Sequence, residues 1–101
     1  MDTLTTPHEQ AVKFCEAMAA KFPTTTFEVD PKGRKYIRIV QVGRGGGASV
    51  HAFVDAATGD LLKDAGWAGP AKGARGNIMD DADLEAIVAR ADQFGGYLYA
   101  R

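Results

Sequence analysis

From Thr6 onward the apolar positions fall into successive regimes, each with its own period. Ala11, Phe14, Cys15, Met18 and Phe22 recur at three- and four-residue spacing, while Glu9, Lys13, Glu16 and Lys21 lie mostly off that face. This is the stripe of an amphipathic helix. Thr6-Pro7-His8-Glu9 supplies its start, with Thr at N-cap, Pro at the first helical position and Glu at N3 completing a capping box. Pro23 stops it, so the helix is expected to reach about Phe22. The chain then turns β-branched and aromatic. Strands are expected over Thr24–Val29, Lys35–Val42, Ser49–Asp55 and Asp60–Asp64, with turns at Asp30-Pro31-Lys32-Gly33 and Thr58-Gly59-Asp60. Connections this short favour antiparallel neighbours, hence a meander. Alternation puts Ile37 and Ile39 on one face of the second strand and Tyr36, Arg38, Val40 and Val42 on the other. In the third, Val50, Ala52 and Val54 oppose Ser49, His51 and Phe53.

No period survives from Ala65 to Asn77, where small residues, a proline and two basic residues surround Trp67. The expectation is a long loop, and long loops in small domains often carry function. A second helix starts near Asp80, capped by Asp80 or Asp81, with Leu84, Ile87, Val88 and Ala91 as its stripe and Gly95-Gly96 as its end. Tyr97-Leu98-Tyr99 reads as a short terminal strand or a docked tail. The fold class is therefore α+β: N-terminal helix, three- or four-stranded antiparallel meander, long loop, C-terminal helix. Phe14, Met18, Ile39, Val54, Leu84 and Ile87 are expected to form one core joining both helices to one sheet face.

Composition narrows the classes. A length of 101 residues allows one domain, and 46% hydrophobic with 25% charged residues is the balance of a folded chain. The single cysteine forms no internal disulfide, and no Cys/His set has zinc-ligand spacing. A net charge of -1 argues against a strongly basic nucleic-acid binder. No apolar run approaches the ~20 residues of a membrane span, and the first residues lack the pattern of a signal peptide. A cytoplasmic protein is expected, with no cofactor and no membrane partner; its oligomeric state is left open.

The near-zero net charge hides segregation. Lys32, Arg34, Lys35, Arg38 and Arg44 fall between Pro31 and Val54 without a carboxylate, whereas Asp80 to Asp92 holds five carboxylates and only Arg90. Such a dipolar surface suits phosphates or an acidic partner; equally, the basic run solvates a hairpin and the acids favour a helix N-terminus. Gly43-Arg44-Gly45-Gly46-Gly47 offers amides and a guanidinium to an anion, yet it lacks a Gly-Lys-Ser/Thr ending and leads into a strand. Between Trp67 and Asn77, Lys72 and Arg75 stand next to glycines, and Trp67 either stacks on a ligand or plugs the small core. The candidate binding residues are therefore Arg38, Arg44, Trp67, Lys72, Arg75 and Asn77.

Reactive side chains have bland readings beside them. His51 sits mid-strand, His8 on a first helical turn, and Cys15 on an apolar stripe. Asp80, Asp81 and Asp83 lack a calcium-loop pattern and suit capping. No catalytic or metal residue is assigned. The helix–strands–helix order is similar to that of the double-stranded-RNA-binding domain, but here the second helix opens with three acids that repel phosphate.

Thr58-Gly59-Asp60-Leu61-Leu62-Lys63, followed by Gly66-Trp67-Ala68-Gly69-Pro70-Ala71-Lys72-Gly73-Ala74-Arg75-Gly76-Asn77-Ile78, resembles a stretch found in small bacteriophage proteins of unknown activity. Ser49–Asp55 and Gly96-Tyr97-Leu98-Tyr99 are similar to the same group, although Ala68 stands where that group has a basic residue. The resemblance implies a phage product acting in bacterial cytoplasm and implies no activity. Two functions are thus carried forward: a non-enzymatic accessory protein that binds a host or defence protein, and a nucleic-acid or nucleotide-binding module.

Overall fold

The computed structural model describes residues 6–30, 35–43, 47–64 and 70–91. Helix α1 spans Pro7–Lys21, and its capping box is formed: Thr6 Oγ1 accepts from the Glu9 amide at 3.1 Å and Glu9 Oε1 accepts from the Thr6 amide at 2.9 Å. Five strands follow, β1 (Thr26–Asp30), β2 (Tyr36–Val42), β3 (Ala48–Asp55), β4 (Asp60–Asp64) and β5 (Pro70–Asn77), then helix α2 (Asp81–Arg90). The strands pair antiparallel in the order β1-β2-β3-β4-β5. The α+β meander between two helices is as expected, with one strand more.

That strand, β5, occupies the second half of the segment expected as loop. Its sequence, Pro-Ala-Lys-Gly-Ala-Arg-Gly-Asn, has no β-branched residue and no alternation. Its pairing with β4 is irregular, with register shifts between Leu61 and Leu62 and between Leu62 and Asp64. Gly76 explains part of the composition. A Cβ there would lie 2.6 Å from Ile87 Cδ1, so the missing side chain lets α2 pack on the strand. Gly59, at φ +82, makes the β3–β4 turn in a conformation that side-chain-bearing residues rarely adopt.

One correction concerns face assignment in β3. Ile39 pairs with Ala52 but Val40 pairs with Val50, which leaves His51 as the extra residue of a β-bulge. The alternation breaks there: His51 and Ala52 are both buried, and Val50 joins Val40 on the face away from the helices. His51 therefore does not share a face with Phe53. Its ring lies 5.2 Å from Phe27, edge-on, and 6.4 Å from Phe14 of α1.

The main core cluster lies between the helix-side face of the sheet and both helices. It contains the six expected residues Phe14, Met18, Ile39, Val54, Leu84 and Ile87, together with Phe27, Ile37, Leu61 and Ile78 among others. The helices are also joined directly. Gln10 Nε2 donates to the Ile78 carbonyl and, at 3.1 Å, to Asp81 Oδ1. Lys13 Nζ reaches Asp81 at 3.2 Å. Lys21 Nζ donates to the carbonyls of Val88, Ala89 and Ala91 at 2.7, 2.8 and 2.9 Å, satisfying the open C-terminal end of α2.

Candidate interaction surface

The reactive side chains are tied into this framework. Cys15 is 5% exposed, and burial, followed by the negative charges of Glu16 and Glu28, pushes its thiol up to about 12. A thiol held protonated in this way is a poor nucleophile. His51 is buried with Nδ1 2.7 Å from Gln41 Oε1. Asp80 caps α2, accepting from the amides of Ala82 and Asp83. Asp83 Oδ2 accepts from the Asn77 amide at 2.7 Å. Asp81 accepts from Gln10 and Lys13, which hold its carboxyl below the usual range. Among the described residues no group of three or more His, Cys, Asp or Glu is placed to hold a metal ion.

Arg38 and Arg75, the two basic candidates whose side chains are described, are not gathered into one cluster. Arg38, on the sheet face away from the helices, bonds Asp30 of β1 at 2.8 Å and lies 5.7 Å over the Phe53 ring. Lys72, Arg75 and Asn77 fall on β5, three strand steps away, or about 14 Å at the usual strand spacing. Arg75 donates to the carbonyl of Gly73. Asn77 closes a knot within the fold: its amide nitrogen donates to the Thr58 carbonyl at 2.9 Å and to Asp60 Oδ1 at 3.0 Å. Its oxygen accepts from the Met79 amide at 2.8 Å. This ties the β3–β4 turn to the start of α2. Arg44 and Trp67, like the Tyr97–Tyr99 segment, lie outside the described residues.

A different surface emerges between α1 and β1, through residues that the periodicity argument passed over. A groove of about 430 Å³ is lined by His8, Val12, Cys15, Glu16, Ala19, Phe27, Glu28 and Val29. That is more than ten times the ~30 Å³ share of one water. Val12, at 39%, is the one exposed large apolar side chain among the described residues. The signal was present in the sequence. Val12, Cys15, Glu16 and Ala19 recur at helical spacing beside the main stripe.

The groove borders a sheet edge. In the strand order β1 is terminal, and its register with β2 runs from Thr26–Val42 to Asp30–Arg38 without a shift. Phe27 is buried and Val29 packs partly against the core, on the helix side, while Thr26, Glu28 and Asp30 alternate to the other face. The lysines of α1 point elsewhere: Lys13 and Lys21 both engage α2. Glu16 and Glu28 are left as the charged groups of the groove, with no ion pair to either among the described residues.

This small α+β sheet domain matches, over residues 1–100, the protein family described as "Family of unknown function (DUF7717)". The chain belongs to that family. Neither the curated proteins nor the solved structures contain a match to it. No helix among the described residues is long and apolar enough to cross a membrane.

Proposed function

We propose that the chain is a small phage accessory protein that works without catalysis, binding a bacterial host or defence protein in the host cytoplasm and modulating it. The observation that carries this reading is the contrast between committed reactive groups and an open apolar groove. Cys15, His51, Asp81 and Asp83 each serve burial or structural hydrogen bonds. Val12 instead stands exposed beside an edge strand. An apolar groove beside a sheet edge supports a protein partner, because such edges take up extended segments. Provenance rests on the Thr58–Lys63 and Gly66–Ile78 motif.

The alternative, phosphate binding through Arg38, Arg44, Lys72 and Arg75, draws less support. Arg38 is paired with Asp30, and Arg38 and Arg75 stand strands apart. Capture from bacterial lysate separates the two. The accessory-protein reading expects a protein that stays bound after nuclease treatment, with only shallow salt dependence. Capture that vanishes with nuclease and falls steeply with salt identifies a nucleic-acid binder instead. In that second case Lys72→Ala with Arg75→Ala weakens binding while leaving the melting curve nearly unchanged.

A further inference from the structure

We propose that the α1–β1 groove receives an extended segment of a partner protein, which adds to the sheet beside β1 and alternates apolar residues with lysine or arginine. The inference rests on the protein-binding reading above and specifies its partner. Three observations carry it.

The first is the contrast between the two sheet edges. β5 opens with Pro70, holds Gly73 at φ +92, carries two register shifts and has Arg75 folded onto its own backbone. Proline and bulges blunt an edge against pairing, as charge does. β1, Thr-Phe-Glu-Val-Asp, has no proline and no bulge, and its guard is the charge of Glu28 and Asp30. A regular terminal strand presents a row of backbone N–H and C=O groups to an incoming strand.

The second is that the groove continues this edge on the helix side. A strand laid beside β1 sends alternate side chains to opposite faces. One set enters the groove between Val12, Ala19, Phe27 and Val29. The other set comes to lie next to Glu28 on the opposite face, with Glu16 at the helical rim.

The third is charge. Glu28 on the outer face of the edge strand and Glu16 at the helical rim flank the groove while Lys13 and Lys21 are drawn to α2, so basic residues that alternate with apolar ones in the incoming strand complement them. The same charge disfavours a second copy of this chain. In a centred antiparallel β1–β1 pair Glu28 meets Glu28, and like charges directly opposite are destabilising.

The test uses the full chain, isotope-labelled, titrated with a short blocked peptide that alternates valine with lysine. Chemical-shift changes and slowed amide exchange should be confined to β1 and the groove side of α1. Glu16→Lys with Glu28→Lys should weaken the peptide at least about tenfold at low ionic strength without lowering the melting temperature. The same double variant should gain affinity for a valine–glutamate peptide. Val12→Asp should weaken both peptides, and N-methylation of alternate peptide amides should abolish binding in one of its two phases.

Absence of binding at millimolar peptide, shifts located elsewhere, or indifference to the charge reversal overturns the proposal. Shifts of the same β1 amides with protein concentration alone identify a second copy as occupant and also overturn it. A lysate partner captured equally by the charge-reversed variant removes the groove but leaves the binding function standing. Peptide binding as expected, with no lysate partner, does the reverse.

Discussion

Cys15 places a titratable thiol where its charged form is disfavoured. The thiol is neutral in both folded and unfolded chains well below pH 9, so its ionisation does not affect stability there. Between 9.0 and about 12 the unfolded chain ionises first, and stability falls as pH rises through that window. The full shift corresponds to about 4 kcal/mol, so Cys15→Ala should flatten the alkaline limb of a stability–pH curve measured by urea denaturation. In the native protein at neutral pH a thiol reagent should react slowly with Cys15 and rapidly only after unfolding. Asp81 has the opposite sign. Its carboxyl is held low, first by Gln10 and then by Lys13, so it stabilises the fold above the ordinary carboxylate range and loses that contribution as pH falls through its lowered value. Asp81→Asn should therefore reduce the acid sensitivity of the melting temperature.

Elements differ in how openly the sequence announced them. α1 was fully legible because its start is chemical: Thr6, Pro7 and Glu9 each meet a separate need of a helix N-terminus. Thr6→Ala should accordingly cost about 1 kcal/mol, read as a shift in denaturation midpoint. The buried thiol and four of the six core positions, Phe14, Met18, Leu84 and Ile87, followed from helical spacing, while Ile39 and Val54 followed from the alternation of their strands. β5 was not legible, because Gly73 and Gly76 supply neither alternation nor β-propensity. Its strand state comes from β4 on one side and Ile87 above. The face of His51 was hidden for another reason, since a period of two cannot reveal a bulge. Of the candidate site, Arg38 and Arg75 were located but not brought together, and Asn77 turned out to hold the fold. At the β3–β4 turn, Gly59→Ala should cost roughly 1–3 kcal/mol, since φ +82 is a strained region for alanine. The Met79 Cγ, which stands in the path of the added methyl, would also have to shift.

At the scale of the whole molecule, α1 and α2, the first and last elements described, are held together by polar bonds as well as by the core. Gln10, 5% exposed, bridges α1 to the Ile78 carbonyl and to Asp81. Gln10→Leu removes a buried donor and leaves that carbonyl without it, for an expected loss of about 1–3 kcal/mol by chemical denaturation. Lys21 acts across a similar stretch: its carbonyl partners lie 67 to 70 residues further along the chain. The order of synthesis gives this a consequence. α1 is made before the strands and α2, and the groups that complete its packing and receive its lysine are among the last described residues made. Contacts of such separation reward the chain only after most of its entropy has been lost. A nascent chain stopped before α2 should thus remain open to protease along its whole length, and resistance should arrive in one step when the second helix is complete.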